Sequence, residues 1–222
     1  MEFFQLKRDL QHLILEQTRQ ALYNSILALN AQFSHFIKFY DFSKEELYNE
    51  ERTLTTLLEK AISKSFTKQF NTLSSISGIT IDTQTKTANY GKDYLLLIPK
   101  NIRQRETDVP MHIEQKINTQ KHGKWTGNKL SKKCNALLLI EIGKIDFHDG
   151  VVEIWAGIFD KSKATNTSWG GSTGQRSGSS TLQLSIKDQK HLHILLGEID
   201  VTTSKRGGKK RKYIKPVYYK IP

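Results

Sequence analysis

The stretch MHIEQKI (residues 111–117), with YLLLIP (94–99) before it and ALLLIEI (136–142) after it, decides the fold class. All three are short apolar or β-rich runs between polar loops, the pattern of strands rather than of long helices. YLLLIP and ALLLIEI are apolar almost without interruption, as expected of central strands covered on both faces. MHIEQKI instead alternates. In a strand, residues two apart share a face, so Glu114 and Lys116 project together while Gln115 points to the other side. VVEIWAGIF (151–159), TLQLSI (181–186) and HLHILLGEI (191–199) read as further strands, the last with a helix as its alternative.

Before residue 76 the period changes. Leu6, Leu10, Leu13, Ile14, Leu22 and Ile26 recur at spacings that put them on one helix face. Ser43-Lys-Glu-Glu46 carries a capping-box pattern that opens a second helix, which runs on through Leu54, Leu57, Leu58 and Ile62. TLSSISG (72–78) ends that helix, because serine and glycine compete with helix geometry. The expected architecture is therefore α/β: a mixed central β-sheet flanked by helices. Residues 1–75 form a helical portion for packing and a possible dimer interface, and residues 76–222 form the core with its loops.

The chain has 222 residues, a formal net charge of +12, and 37% hydrophobic residues. That is enough apolar content for a packed core, and the cationic surplus calls for a polyanionic partner, either nucleic acid or an anionic membrane surface. No apolar run approaches the roughly 20 residues of a membrane span, and MEFFQLKRDLQHLILEQ is too interrupted by charges and amides for a secretion signal. A cytoplasmic location without membrane association is expected. The single cysteine, Cys134, rules out an intrachain disulfide and a cysteine-based zinc site; it reads as a small packed residue, and Trp155 reads as core. His191 and His193 are spaced to share a strand face, with a structural or solvent-exposed role expected.

Asp93 stands immediately before the strand YLLLIP. If YLLLIP and MHIEQKI pair as a hairpin, Asp93 can reach Glu114 across the pair. Two carboxylates with a backbone carbonyl make a hard oxygen site for Mg²⁺, and a cation such as Lys116 beside it can offset phosphate charge and orient or deprotonate water. Asp82, in a polar stretch with turn character, is the competing first carboxylate.

Asp93, about twenty residues, and then Glu114-Gln-Lys116 resembles the PD-(D/E)xK nuclease superfamily. Trp125-Thr-Gly-Asn-Lys-Leu-Ser-Lys-Lys133, followed by ALLLIEI and IWAGIFD, is similar to the core of type II restriction endonucleases, as is the Gly/Ser-rich stretch leading into SSTLQLSI. The likeness covers roughly residues 79–200, with Lys92 where the superfamily often has proline. It implies Mg²⁺-dependent hydrolysis of double-stranded DNA at a short specific sequence by a homodimer, a twofold protein matching a twofold site. It also implies that Asp93 and Glu114 bind metal, that Lys116 assists the attacking water, and that an acid from an N-terminal helix, Glu51 or Glu59, approaches the site. The alternatives are a non-catalytic basic nucleic-acid-binding protein and a structure-specific DNA repair nuclease of the same fold.

Lys121, Lys124, Lys129, Lys132 and Lys133 crowd the stretch after Lys116, and phosphate contacts are expected there, with Trp125, Thr126 and Asn128 interleaved as backbone or base contacts. In TNTSWGGSTGQRSGSS (165–180), read as a loop, Asn166, Gln175, Arg176 and Ser177 are candidate DNA contacts, Arg176 foremost as a guanine reader. KRGGKKRK (205–212) reads as a charged turn or tail segment that grips phosphate.

Overall fold

In the computed structural model the description covers residues 8–43, 46, 51–75, 77–82, 94–98, 111–118, 124–127, 134–146, 148–160, 169–171, 180–206 and 208–222. Two helices, α1 (Arg8–Phe39) and α2 (Glu51–Ser74), precede a strand-rich remainder. The main sheet holds β1 (Thr80–Asp82), β2 (Tyr94–Leu97), β3 (Met111–Asn118), β5 (Ala136–Asp146) and β6 (Val151–Asp160), paired in that order. The far edge of β6 is shared by β9 (Leu192–Leu196) and β12 (Tyr219–Ile221). β3 and β5 are parallel and the other pairs antiparallel, so the sheet is mixed, as expected.

The segment between β3 and β5 explains the parallel pair. It leaves the main sheet to form β4 (Lys124–Gly127), which joins a small antiparallel sheet with β8 (Ser180–Gln183) and β7 (Trp169–Gly171). Two of the expected loops thus contain strands. Residues 121–133 include β4, and residues 165–180 include β7, because each can pair with β8.

Two apolar clusters lie on opposite faces of the main sheet. Even-numbered β5 residues Leu138, Ile140 and Ile142 pack with Leu10, Ile14, Leu22, Ile26, Ile62, Phe66 and Phe70 of the helices. Odd-numbered Leu137 and Leu139 pack with Trp125, Trp155, Phe159 and Leu182. β5 is therefore apolar on both sides, as its sequence suggests, but among the described residues the expected helices cover one face and the small sheet of β4 and β8 covers the other. The helical stripe is followed at Leu10, Ile14, Leu22 and Ile26, which are buried, whereas Leu13 is exposed and Leu6 lies outside the described residues. The capping box forms as expected: Ser43 and Glu46 exchange hydrogen bonds, with the Glu46 amide donating to Ser43 Oγ at 3.2 Å and the Ser43 amide donating to Glu46 Oε2 at 2.7 Å. α2 ends where TLSSISG predicts, and the Gly78 amide donates to the Ser74 carbonyl at 2.8 Å.

The helices are tied to the sheet by polar bonds as well. Asn71 accepts from the Ile81 amide at 3.0 Å and donates to its carbonyl at 3.2 Å, closing the open edge of β1. Glu59, a little over one turn before Ser63 on α2, is partly buried, and that burial pushes its carboxyl above the ordinary 4.5. A raised carboxyl favours folding below its unfolded value, and the contribution is lost as pH rises through the folded value. Glu59→Gln is therefore expected to raise the melting temperature slightly at pH 7 and to lose that advantage at pH 4, the effect staying small because solvent still screens the group. Thermal melts at the two pH values check this; an advantage that persists undiminished in acid contradicts it.

The last third of the chain departs from the main sheet. Gly197, at φ +81°, turns the chain from β9 into β10 (Glu198–Arg206), which pairs along its length with β11 (Lys209–Val217). A Cβ at Gly197 would meet the Val217 carbonyl oxygen at 2.4 Å, so no larger residue fits this crossing. KRGGKKRK is thus the closed end of a long two-stranded ribbon, not a tail. HLHILLGEI divides between β9 and β10, and His191 ends a 3₁₀ turn before β9 begins, so it does not share a strand with His193. Burial lowers the His193 imidazole, partly opposed by the negative charge of Asp160.

Candidate active site

β3 alternates as its sequence predicts. Gln115 faces the helices, accepting from the Tyr94 hydroxyl at 2.6 Å and donating to Ser63 Oγ at 2.7 Å. Glu114 and Lys116 face the other way, next to Leu137 and Leu139 in the parallel register. They form a direct ion pair, with Glu114 3% exposed and Lys116 18%. A carboxylate this deep is costly to hold charged without compensation, and a cation two residues along the same strand supplies it.

β2 and β3 pair antiparallel, as the hairpin reading requires, with Tyr94 opposite Ile113 and Leu95 opposite His112. Asp93, one residue before Tyr94 in the chain, lies outside the described residues. Asp82, its rival, ends β1 and stands opposite Leu95. The Asn135 side chain accepts from the His112 amide at 2.8 Å, and the Asn135 amide donates to the His112 carbonyl at 2.8 Å. These two bonds fix where β3 meets β5.

The same face carries a polar group absent from the sequence reading. Glu141, fully buried on β5, stands beside Asn118 in the register. It accepts a hydrogen bond from the Tyr218 hydroxyl and another from Asn118 Nδ2 at 3.3 Å. Burial, and then the bond to Glu141 and its negative charge, raise the Tyr218 phenol well above its ordinary value. Gly143 makes room for this contact, since a Cβ there would lie 2.8 Å from the Tyr218 ring. The signal was available: Glu141 is the one charged residue inside ALLLIEI, and its parity with Leu137 and Leu139 places it on the Glu114 side.

The remaining candidate residues divide by position. Lys124 is exposed on β4. Trp125, expected among the DNA-contacting residues, is buried instead: it is 2% exposed, its indole N–H donates to the Ile140 carbonyl at 3.0 Å, and its ring lies 5.6 Å from that of Trp155. The cause is alternation along β4, which turns Trp125 into the second cluster. Cys134 and Trp155 are buried there as expected. Glu59 sits on α2, which packs on the Gln115 face, opposite the Glu114–Lys116 pair. Lys121, Asn128, Lys129, Lys132, Lys133, Asn166, Gln175, Arg176 and Ser177 lie outside the described residues, and so do the side chains of Glu51 and Thr126.

Among the described residues no group of three or more His, Cys, Asp or Glu is arranged to hold a metal ion, and no helix is long and apolar enough to cross a membrane. No family model, no curated protein and no solved structure matches the chain.

Proposed function

We propose that this chain is a Mg²⁺-dependent endonuclease that hydrolyses phosphodiester bonds in double-stranded DNA at a specific sequence, in the manner of a type II restriction endonuclease acting as a homodimer. The observation that carries the reading is the buried Glu114 paired with Lys116 on one face of a strand inside a mixed sheet. Their donor set fits the metal in part: one carboxylate, a hard oxygen ligand, with a cation next to it. Asp93 is the proposed second carboxylate, since it adjoins Tyr94, whose partner Ile113 is the neighbour of Glu114. Magnesium held by Asp93 and Glu114 would polarise the phosphodiester and neutralise charge on it.

Within that site Glu114 binds and orients. Lys116 holds the attacking water by its ammonium group and offsets the charge that builds on the phosphate oxygens. The water oxygen bonds to phosphorus as the bond to the leaving sugar oxygen breaks, and a proton passes to that oxygen. The net charge of +12 supports a polyanionic substrate.

Digestion of a plasmid with magnesium, with and without EDTA, tests the proposal. Discrete fragments that EDTA abolishes are expected. Tight binding with no strand cutting would instead identify a non-catalytic nucleic-acid-binding protein, and smears or nicks at damaged sites a structure-specific repair nuclease. Sequencing the ends of discrete fragments reads out the site and the stagger.

A further inference from the structure

Between Val201 and Tyr218 the chain carries seven basic residues and no acidic one. The register of the β10–β11 ribbon sets several of them directly against each other: Lys205 opposite Lys210, and Arg206 opposite Lys209. Like charges directly opposite across a strand pair destabilise it. A ribbon that carries this cost at its closed end is built for a partner that removes it.

Among the described residues the ribbon is anchored at its base. Ile214 and Pro216 are buried, the Ile214 amide donates to the Leu184 carbonyl at 3.1 Å, and Tyr213 bridges to Ser185. Beyond Tyr213, towards the turn, no further strand pairing to another element occurs among the described residues, and Lys209, Lys210 and Lys212 are all exposed. Alternation puts Lys209 on one face and Lys210 and Lys212 on the other near the turn, while Lys215, nearer the base, stands opposite Asp200. Both faces are therefore cationic.

Charge on both faces selects among polyanions. A membrane presents its anions on one side only, and the stretch TTSKRGGKKRK (202–212) holds no apolar residue to insert. A single strand is held by stacking on aromatic rings, and that stretch has none. A duplex groove has a phosphate wall on each side, and the major groove, about 12 Å wide, admits a two-stranded ribbon. We infer that the β10–β11 ribbon is a clamp that enters a groove of duplex DNA and binds phosphates along both walls. The inference rests on the proposed function only in taking DNA as the polyanion.

Its test is binding in EDTA, where no cutting can occur. The full chain and the triple variant Lys209→Ser, Lys210→Ser, Lys212→Ser are titrated with a labelled duplex, the matching single strand and phosphatidylserine vesicles over a range of salt. Three lost phosphate contacts should weaken duplex binding on the order of 10²-fold at physiological salt and lower the slope of log K against log salt by about 2.7. The variant should melt no lower than the parent, because the change removes like-charge repulsion, so lost binding is not lost folding. Unchanged duplex affinity and slope overturn the inference, as does equal or stronger binding to vesicles or single strand. Duplex binding through the ribbon without any Mg²⁺-dependent cutting would leave the clamp standing and sink the nuclease reading; cutting together with unaltered variant binding would do the reverse.

Discussion

Lys116→Ala is expected to abolish Mg²⁺-dependent cutting, a loss on the order of 10²–10⁴-fold if the ammonium group orients water and stabilises charge in the transition state. DNA binding measured in Ca²⁺ should survive. The same change withdraws the cation in contact with Glu114. Breaking a buried pair from one side costs up to about 3–5 kcal/mol, a figure to be discounted because Lys116 is partly exposed. A melting curve must therefore accompany the rate. Glu114→Gln separates the two effects, because it keeps side-chain volume and one acceptor oxygen while removing the negative charge. It should be as inactive as Lys116→Ala while melting closer to the parent. Parental cutting by either variant, in protein shown to be folded, ends the assignment of this pair.

Trp125→Ala should produce the largest loss of stability. It removes a fully packed ring, its contact with Trp155 and the bond to the Ile140 carbonyl. Truncating a buried tryptophan costs about 3–5 kcal/mol. At ~2–4 °C per kcal/mol for a chain of this size, the melting temperature should fall by about 10 °C. Trp125→Phe keeps most of the ring and should lose far less. If Trp125→Ala instead melted like the parent and lost only DNA affinity, the ring would be a DNA contact after all and its burial would mean little. Calorimetry on the three proteins decides.

These two residues also show how far the sequence could be read. Period-2 alternation is a local property, so MHIEQKI revealed which side chains share a face without any knowledge of neighbours. The capping box at Ser43 and the apolar stripe of α1 are local in the same sense. Trp125 was misjudged because its surroundings are lysines in sequence and leucines in space. Only the pairing of β4 with β8 turns it inward, and the residues of that pair are more than fifty positions apart. The ribbon was missed for the same reason. KRGGKKRK looks like a charged turn, and so it is, but the strands on either side of it are polar enough to pass for loops. Glu141 was legible and overlooked, since a lone charge in an apolar run needs partners. Those partners, Asn118 and Tyr218, come from strand register and from a distant part of the chain. At the candidate site, the face of β3 was legible, and the antiparallel pairing of β2 with β3 stands as expected.

The division of the core between two sheet faces gives the molecule two separate optical reporters. Trp125 and Trp155 are buried in the cluster away from the helices, and the third tryptophan, Trp169, belongs to β7 of the small sheet packed on that side. The fluorescence of Trp125 and Trp155 therefore follows the face that carries Glu114 and Lys116, while far-ultraviolet circular dichroism at the helical bands follows α1 and α2 behind the sheet. Superimposable unfolding curves from the two signals would mean that both faces melt as one cooperative unit; separated curves would time the loss of the Glu114 face against the loss of its helical backing.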